Sequence, residues 1–257
     1  MLDLMESSAS CDDIDAHLRK LESAGMLHVI DRAIDKDREM HPLVRWQYRG
    51  GIPESQRKAF LFNNVTDAKG RAYPGARVAI GALAATPAVY ALGLGKPVEE
   101  IGRTWLAAMA APVAPKVVDS ASCQELVLTG EDLIGEGKGL DALPIPISTP
   151  GYDTAPYFTA GLWATRDPDT GVQNLGLYRG NLKASNRVAV MMERSTLAGG
   201  SVHWLKYKAR GEKMPAAVVL GAPPLVAFTG PQKLPIGCDE LTVAGGLSGR
   251  PIDVVRC

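Results

Sequence analysis

The stretch that organises this chain reads Asn174-Leu175-Gly176-Leu177-Tyr178-Arg179. It opens the apolar, turn-rich region 173–257 and carries an amide and a guanidinium five residues apart. Successive side chains of a strand point to opposite faces, so Asn174 and Arg179 would face opposite ways in a straight strand. Gly176 and Gly180 are positions at which the backbone can bend. A bend there would let both groups line one pocket.

The composition argues against several classes of function. The 257 residues include 28 basic and 28 acidic residues, which gives a formal net charge of zero. A chain without excess positive charge has no overall electrostatic footprint for nucleic acid or for an anionic membrane. An aromatic content of 6% also leaves few platforms on which bases could stack. We therefore expect no nucleic-acid partner.

No segment of the sequence predicts secretion or a membrane span. Residues 1–6 are acidic and do not form the apolar run of a signal peptide. The most apolar stretch, 80–95, contains Pro87 and several glycines and is too short to cross a bilayer. The sequence thus predicts a cytoplasmic protein. Its cysteines are widely scattered and form no metal-binding or redox pair, which predicts reduced structural thiols at Cys11, Cys123, Cys238 and Cys257.

Residues 1–115 are predicted to form an N-terminal α/β domain. A capped amphipathic helix begins near Ser10 or Asp12 and stops at Gly25, with an apolar stripe on one face. The remaining patterns predict strands over 27–30, 58–62 and 77–80 and helices over 37–48, 86–94 and 97–110. The proline-rich segment 111–115 is the predicted domain boundary.

Two features of this half invite a functional interpretation that the residues do not favour. The first is a set of histidines, which we expect to be surface or half-buried residues with local partners rather than metal ligands: His17, His28 and His41. The second is a pair of glycine runs at 93–96 and 135–139. Neither has the spacing or the strand context of a phosphate-binding loop, so they predict a helix end and a surface loop.

Residues 116–257 are predicted to form a second domain of short strands, a β-barrel or sandwich with helices added. The patterns predict strands over 116–118, 124–128, 157–165, 172–179, 187–192, 216–220 and 252–255 and helices over 202–211, from 225, and over 239–244. The turn signal at 167–171 predicts a hairpin. The fold class is therefore α+β or mixed. Because a strand ends the sequence, we expect it to be one part of a longer architecture.

Eight polar groups of this region have no obvious partner among the apolar strands: Asn174, Arg179, Lys183, Arg187, His203, Lys233, Asp239 and Glu240. Taken singly, each is typical of a structural role, such as an amide in a turn or an arginine in an ion pair. Taken together, they could bind a phosphorylated, acidic ligand through a divalent ion, with oxygen ligands on the metal and basic groups on the phosphate. Spacing alone leaves both interpretations open.

Ordered motifs spread over 144–251 resemble the UbiD family of reversible decarboxylases. They lie at 144–146, 153–179, 211–215, 221–224, 234–240 and 244–251. Members of that family bind prenylated FMN in a split β-barrel domain related to flavin reductases. They remove carbon dioxide from aromatic or α,β-unsaturated acids, and some carboxylate. The modified flavin is the electron sink that the departing carbon dioxide requires. The resemblance implies this fold for 116–257 and this chemistry.

The resemblance also implies roles for individual residues. Asn174 and Glu240 match the family's ligands for a divalent metal, usually manganese (Mn²⁺), which bridges to the flavin phosphate and is often accompanied by potassium (K⁺). Leu177, Tyr178 and Arg179 match the flavin-contacting segment. Arg179 also matches the first residue of the family's catalytic Glu-Arg-Glu network, where an arginine keeps its charge at any working pH.

Three further residues are implied less directly. Lys233 and Leu234 fall where the family contacts the cofactor. His203 is the histidine nearest to 197–200, where some members carry a metal-binding histidine, and it is either a substitute ligand or a helix-face histidine. The family's two catalytic carboxylates lie further downstream, and Glu240 is not expected to replace them as proton donor.

The sequence therefore predicts the N-terminal and flavin-binding portion of a prenylated-FMN-dependent decarboxylase. A flavin prenyltransferase would supply the cofactor, and the complete form would be a homo-oligomer. We expect this polypeptide to be impaired on its own unless a second chain supplies the rest. Two alternatives remain: an oxidoreductase that uses unmodified FMN in the same barrel, and a non-catalytic flavin-binding subunit.

Overall fold

Helices and short strands alternate in the computed structural model, which describes residues 11–235 and 237–257. Its α-helices are α1 (Ile14–Ser23), α2 (Met40–Arg49), α3 (Pro87–Leu94), α4 (Ile101–Ala110), α5 (Gly199–Ala209), α6 (Pro224–Thr229) and α7 (Glu240–Ser248). Its strands are β1 (Leu27–Ile30), β2 (Ile34–Asp35), β3 (Ala59–Phe62), β4 (Val65–Thr66), β5 (Val78–Ile80), β6 (Lys116–Val118), β7 (Tyr157–Phe158), β8 (Leu162–Arg166), β9 (Gln173–Leu177), β10 (Gly180–Ala184), β11 (Arg187–Val190), β12 (Ala216–Val219) and β13 (Asp253–Val255). The predicted mixed α/β class is confirmed.

The N-terminal part is built around β3, whose four residues are all buried. β3 pairs in parallel with β1 and antiparallel with β5, and the short strands β2 and β4 pair beside them. Leu61 packs with α1 and α3, whereas Phe60 and Phe62 pack with α2. A strand covered on both faces must be apolar throughout, which is why this segment lacks alternation.

Helix α1 begins slightly later than the sequence predicts. Its N-cap is Asp13, whose carboxylate accepts a hydrogen bond from the Ala16 amide at 2.6 Å. Asp12 instead forms an ion pair with Arg250, and Ser10 lies outside the described residues. The predicted stop is confirmed, because Gly25 takes a left-handed conformation with φ of 68°.

Two other predictions for this half require correction. His17 is fully buried, and its Nε2 lies 2.7 Å from the Ala82 carbonyl, a partner 65 residues away rather than a local one. The helix predicted from residue 97 begins at Ile101, because Val98–Glu100 forms a 3₁₀ turn first. The glycine runs behave as predicted: α3 ends with Gly95 as its C-cap, and 135–139 contains no α-helix or strand.

The strands of the C-terminal part form two three-stranded sheets, with the orders β11-β10-β7 and β12-β8-β9. A separate parallel pair joins β6 to β13. Gly180 packs closely against Trp163, so the two sheets contact each other. Backbone pairing among the described strands does not close them into a barrel, and the split β-barrel stays a prediction.

Several predicted strands of this part have different bounds. The strand predicted over 124–128 is wrong: Ser122–Gln124 is a 3₁₀ turn, and the apolar side chains after it are exposed without a neighbouring strand. The strand predicted over 157–165 is two strands, β7 and β8, that belong to different sheets. β10 was not predicted.

The chain changes sheets inside the stretch that organises the sequence. β9 ends at Leu177 and pairs with β8, whereas β10 begins at Gly180 and pairs with β7 and β11. Tyr178 and Arg179 form the connection. Gly176 is required here because a Cβ atom at this position would overlap the Tyr178 ring, which folds back over it.

Helices from both halves share one core. Leu94 and Ala108 pack with Leu225, Phe228 and Val243, which joins α3 and α4 to α6 and α7. The division into domains 1–115 and 116–257 remains a prediction, and this shared core lies across it. None of the described helices combines the length and hydrophobicity that a membrane crossing needs.

The hairpin predicted at 167–171 joins β8 to β9, and its first residue leads to a testable expectation. Asp167 accepts a hydrogen bond from Lys206 Nζ at 2.6 Å. This hydrogen bond is the main reason why the pKa of Asp167 is lowered to about 2. A carboxylate with a lowered folded-state pKa stabilises the fold above its unfolded pKa, and this contribution is lost as the pH falls through the folded pKa.

We therefore expect Asp167→Asn to lower the free energy of unfolding at pH 7 by about 1–2 kcal/mol. This is less than the ~1.5–3 kcal/mol of a hydrogen bond to a charged group, because the Lys206 side chain is 34% exposed and solvent screens the pair. The wild type should lose that difference between about pH 4 and pH 2, so the two stability curves converge in acid. Urea unfolding across this pH range measures it. Asp119→Asn, at an exposed position, is the control, and parallel curves for wild type and Asp167→Asn would contradict the expectation.

Candidate functional site

Glu240 binds the outer edge of β9 directly beside Asn174. It is the first residue of α7, is only 6% exposed, and its Oε2 accepts a hydrogen bond from the Leu175 amide at 2.7 Å. The Leu177 amide donates to the Gly230 carbonyl at 3.2 Å. The edge that β8 leaves free is thus covered by α7 and the end of α6. Of the two predicted metal ligands, Asn174 lies on β9, and Glu240 of α7 accepts from the backbone of the next residue, Leu175.

Two carboxyl groups at the start of α7 are affected by burial. Burial raises the pKa of Glu240, opposed by the hydrogen bond from the Leu175 amide. Burial also raises the pKa of Asp239, whose carboxylate caps the helix by accepting from the Leu241 amide at 2.8 Å. Both ionised forms are disfavoured by the loss of water, so a nearby cation would stabilise them.

The side chain of Asn174 lies against the N-terminus of α5. A Cβ atom on Gly199 would overlap Asn174 Oδ1, so this amide can take its position only because residue 199 has no side chain. The Gly200 amide donates to the Tyr178 hydroxyl at 3.0 Å, and Asn174 Nδ2 lies 3.5 Å from the same oxygen. Asn174, Tyr178 and the two glycines form one contact, which we call the β9–α5 cradle.

The cradle gives a prediction with a matched control. Gly199→Ala is expected to displace Asn174 and to cost about 1–3 kcal/mol, as overpacking of a filled site does. Gly102→Ala places the same methyl group in α4, where nothing lies within 4 Å, and should stabilise by about 0.5–1 kcal/mol. Thermal unfolding of both variants measures the difference. Equal melting temperatures would show that Asn174 is not held by position 199.

Arg179 makes a different set of contacts. Its Nη2 lies 3.6 Å from Asp153 Oδ1, and its guanidinium lies over the Tyr157 ring, 4.7 Å from the centroid. The Arg179 side chain is 61% exposed, which leaves most of its donors open to solvent. The contacts of Asn174 and Arg179 among the described residues therefore involve different partners. These contacts do not support the prediction that both side chains line one pocket.

His203 lies next to the cradle, with its nitrogens directed elsewhere. Thr165 pairs with Asn174 across the β8–β9 ladder, and the Thr165 hydroxyl lies 2.9 Å from His203 Nδ1. His203 Nε2 lies 4.0 Å from Asp167 Oδ2. Burial lowers the pKa of His203, which favours the neutral ring. A ligand role for His203 stays a prediction.

The remaining predicted cofactor contacts are scattered. Leu177 is partly exposed at the end of β9. Lys233 is exposed in the turn after α6, whereas Leu234 is half-buried and packs against the core shared by α4, α6 and α7. Leu197, just before α5, has a positive φ of 53°, a conformation that non-glycine residues rarely adopt. The structure does not bring Lys233 and Leu234 into recorded contact with Asn174 or Arg179.

Sequence reasoning missed two residues near Arg179. Asp153 lies in the same motif run, but nothing in its spacing connects it to an arginine 26 positions later. Asn181 is 4% exposed, and neither atom of its amide has a hydrogen-bond partner among the described residues. It pairs with Tyr157 in the β10–β7 ladder and so shares a face with the ring that supports Arg179. Only the structure reveals this buried amide.

The residues fit a divalent cation in part. An amide oxygen and a buried carboxylate are the hard ligands that Mn²⁺ and Mg²⁺ accept. The Glu240 carboxylate accepts from the Leu175 amide through Oε2, and the absence of a side chain at Gly199 leaves room for Asn174 Oδ1 at the start of α5. Within 11–235 and 237–257, no group of three or more His, Cys, Asp or Glu residues is close enough to hold a metal. Any ion bound here would need further ligands, such as a phosphate.

Comparison with known proteins identifies both parts of the chain. Residues 116–257 match the UbiD family described as 3-octaprenyl-4-hydroxybenzoate carboxy-lyase Rift-related domain. Residues 18–109 match the corresponding N-terminal domain. An uncharacterized Synechocystis protein, sll0936, is 26% identical over 269 residues, which cover 95% of this chain and 50% of that protein.

Solved structures agree with these matches. The UbiD-class enzyme HmfF from Pelotomaculum thermopropionicum, in complex with FMN, has a TM-score of 0.80 and 26% identity, with 95% of this chain and 50% of that chain covered. An evolved dimeric HmfF in complex with prFMN has a TM-score of 0.78 over 96% and 53% of the two chains, and its 24% identity shows the fold alone. The apo 3,4-dihydroxybenzoic acid decarboxylase from Enterobacter cloacae has a TM-score of 0.80 and 28% identity over 96% and 50%.

The chain spans about half the length of the relatives that it matches. The match to the Rift-related domain alone covers more than half of its 257 residues. The recognition made from the motifs is confirmed: the chain belongs to the UbiD family.

Proposed function

We propose that this chain provides the flavin- and metal-binding part of a decarboxylase that acts on an aromatic or α,β-unsaturated acid with prenylated FMN. The observation that carries the proposal is the bond between Glu240 and the Leu175 amide, which joins a buried carboxylate to the residue after Asn174. A UbiD-class relative binds FMN and another is a decarboxylase of 3,4-dihydroxybenzoic acid, which supports the assignment.

In this proposal Asn174 and Glu240 hold the divalent ion, Mn²⁺ in the first instance, with K⁺ as a companion. The ion would neutralise the buried carboxylate and bind the flavin phosphate. The N-terminus of α5 would also favour an anion, because the helix dipole places partial positive charge there. His203 is retained as a proposed ligand on the resemblance alone; its Nδ1 lies 2.9 Å from the Thr165 hydroxyl.

The flavin, when bound, supplies the electron sink for loss of carbon dioxide. The protein's part is to bind and orient the acid. Arg179 keeps its positive charge at any working pH and presents a planar fork of donors suited to a carboxylate. Its high exposure and its support by Tyr157 leave that fork accessible. Arg179 would therefore hold the substrate carboxylate, while a carboxyl group outside this chain would deliver the proton.

The two contacting sheets are proposed to be the halves of a split barrel with the flavin at their junction, where Tyr178 and Arg179 connect β9 to β10. Leu177 and Tyr178 would then contact the ring system. We retain Lys233 and Leu234 as proposed cofactor contacts on the resemblance alone. A flavin prenyltransferase would supply the cofactor, and a homo-oligomer is proposed for the complete form on the resemblance alone.

A flavin titration tests the proposal without requiring turnover. FMN and riboflavin are added separately to the purified chain, with and without Mn²⁺, and flavin fluorescence is followed. We expect Mn²⁺ to strengthen FMN binding by about tenfold or more, a difference of 1.4 kcal/mol or above, and to leave riboflavin unaffected because it has no phosphate. Equal responses of the two flavins would contradict the metal–phosphate bridge and favour an ordinary flavin barrel.

A further inference from the structure

The turn that precedes β7 connects helix α2 to Arg179. Arg45 of α2 donates from Nη2 to the Ser148 carbonyl at 3.0 Å and to the Thr149 hydroxyl at 3.3 Å. The Thr149 amide donates to Asp153 Oδ2 at 2.8 Å. The other oxygen of that carboxylate, Oδ1, faces Arg179. An unbroken series of polar contacts thus runs from the N-terminal part of the chain to the proposed substrate arginine.

Burial distinguishes the two members of the ion pair. The Asp153 side chain is 15% exposed and the Arg179 side chain 61%. A mostly exposed arginine would ordinarily sample many rotamers, because its long side chain loses much entropy on being held. Here one nitrogen faces a half-buried carboxylate, and the flat face of the guanidinium lies over the Tyr157 ring. These contacts restrict both the position and the plane of the group.

We propose that Asp153 is a positioning residue for Arg179, and that α2 holds Asp153 in place through Arg45 and the Ser148–Asp153 turn. The proposal rests on the function proposed above, in which Arg179 binds the substrate carboxylate. Asp153 uses one edge of the guanidinium and Tyr157 one face, so the opposite edge stays open to the acid. Movement of α2 relative to the sheets would therefore change the orientation of the Arg179 guanidinium.

Side-chain NMR of the purified chain tests the positioning directly. Asp153→Asn keeps an oxygen for the Thr149 amide and removes the charge that faces Arg179. We expect the Arg179 Nε–Hε group to be ordered in the wild type and to become mobile in Asp153→Asn and in Arg45→Ala. Asp119→Asn, which alters an exposed aspartate, is the control. An Arg179 signal that is already mobile, or that Asp153→Asn leaves unchanged, overturns the proposal.

Titration of the FMN-loaded chain with benzoate, a simple aromatic carboxylate, separates this proposal from the one on which it rests. If both hold, Arg179→Ala abolishes benzoate binding, and Asp153→Asn weakens it by up to about 10²-fold, the effect that a misplacement of about 1 Å can have. If Arg179→Ala has no effect, or the wild type binds no benzoate, the substrate role of Arg179 fails while the NMR result still decides the positioning. If Arg179→Ala abolishes binding and Asp153→Asn changes nothing, the positioning role fails alone.

Discussion

Replacement of Arg179 by alanine is expected to lower decarboxylation by about 10²–10³-fold, the range seen when one charge-stabilising donor is removed from an active site. The measurement is carbon dioxide release by a catalytically competent, flavin-loaded protein that contains this chain. Flavin should remain bound, because Arg179 contacts Asp153 and Tyr157 rather than the cradle at Asn174. The loss should therefore lie in turnover.

The conservative variant Arg179→Lys refines this result. A lysine keeps the charge but cannot form the planar fork, so partial activity is expected. Arg103→Ala, at an exposed position on α4, provides a matched control that should retain wild-type turnover. Full activity of Arg179→Ala with flavin bound would remove Arg179 from the chemistry.

The second large effect is expected at Glu240. Glu240→Gln keeps an oxygen for the Leu175 amide but removes the negative charge, so the fold should survive while metal affinity falls. Loss of a supporting outer-shell partner already costs 10–100-fold in metal affinity, and a direct ligand should cost at least about 100-fold. Mn²⁺ titration, with FMN fluorescence as the signal, measures this change.

Two companion variants define the origin of the effect. Glu240→Ala also leaves the buried Leu175 amide without its carboxylate partner, which should reduce the free energy of unfolding by about 1–3 kcal/mol. Glu99→Gln removes a charge from an exposed glutamate and should change neither affinity nor stability. If Glu240→Gln binds Mn²⁺ as the wild type does, the carboxylate is only a structural cap for β9.

The helices and the buried strand of the N-terminal part could be predicted because their information is local. The apolar stripe of α1 and its glycine stop determine where Leu18 and Leu21 pack. The continuous apolar run Ala59–Phe62 indicates a strand covered on both faces. Such periodicities depend on neighbours within a few residues, so sequence alone reveals them.

Strand existence in the C-terminal part was less predictable, because it depends on partners far along the chain. Residues 124–128 have the apolar content of a strand but find no edge to join. β10 begins at a glycine and carries polar residues, yet it is the central strand of its sheet. Pairing with β7 and β11, rather than propensity, makes it a strand.

The candidate site divides in the same way. The motif identified Asn174 and Glu240, and in the structure Glu240 binds the amide of the residue after Asn174. The motif could not show that Gly199 shapes the position of Asn174, or that Asp153 faces Arg179, because these contacts join residues that are distant in sequence. Within the stretch 174–179, Asn174 thus contacts the start of α5, whereas Arg179 contacts Asp153 and Tyr157.

Native mass spectrometry of the chain, expressed together with a flavin prenyltransferase and supplied with Mn²⁺, shows whether the chain binds the modified flavin together with a metal ion. We expect one prenylated FMN and one divalent ion per chain, with both lost together in Glu240→Gln. A folded chain that carries no flavin, or that carries unmodified FMN without a metal ion, would contradict it.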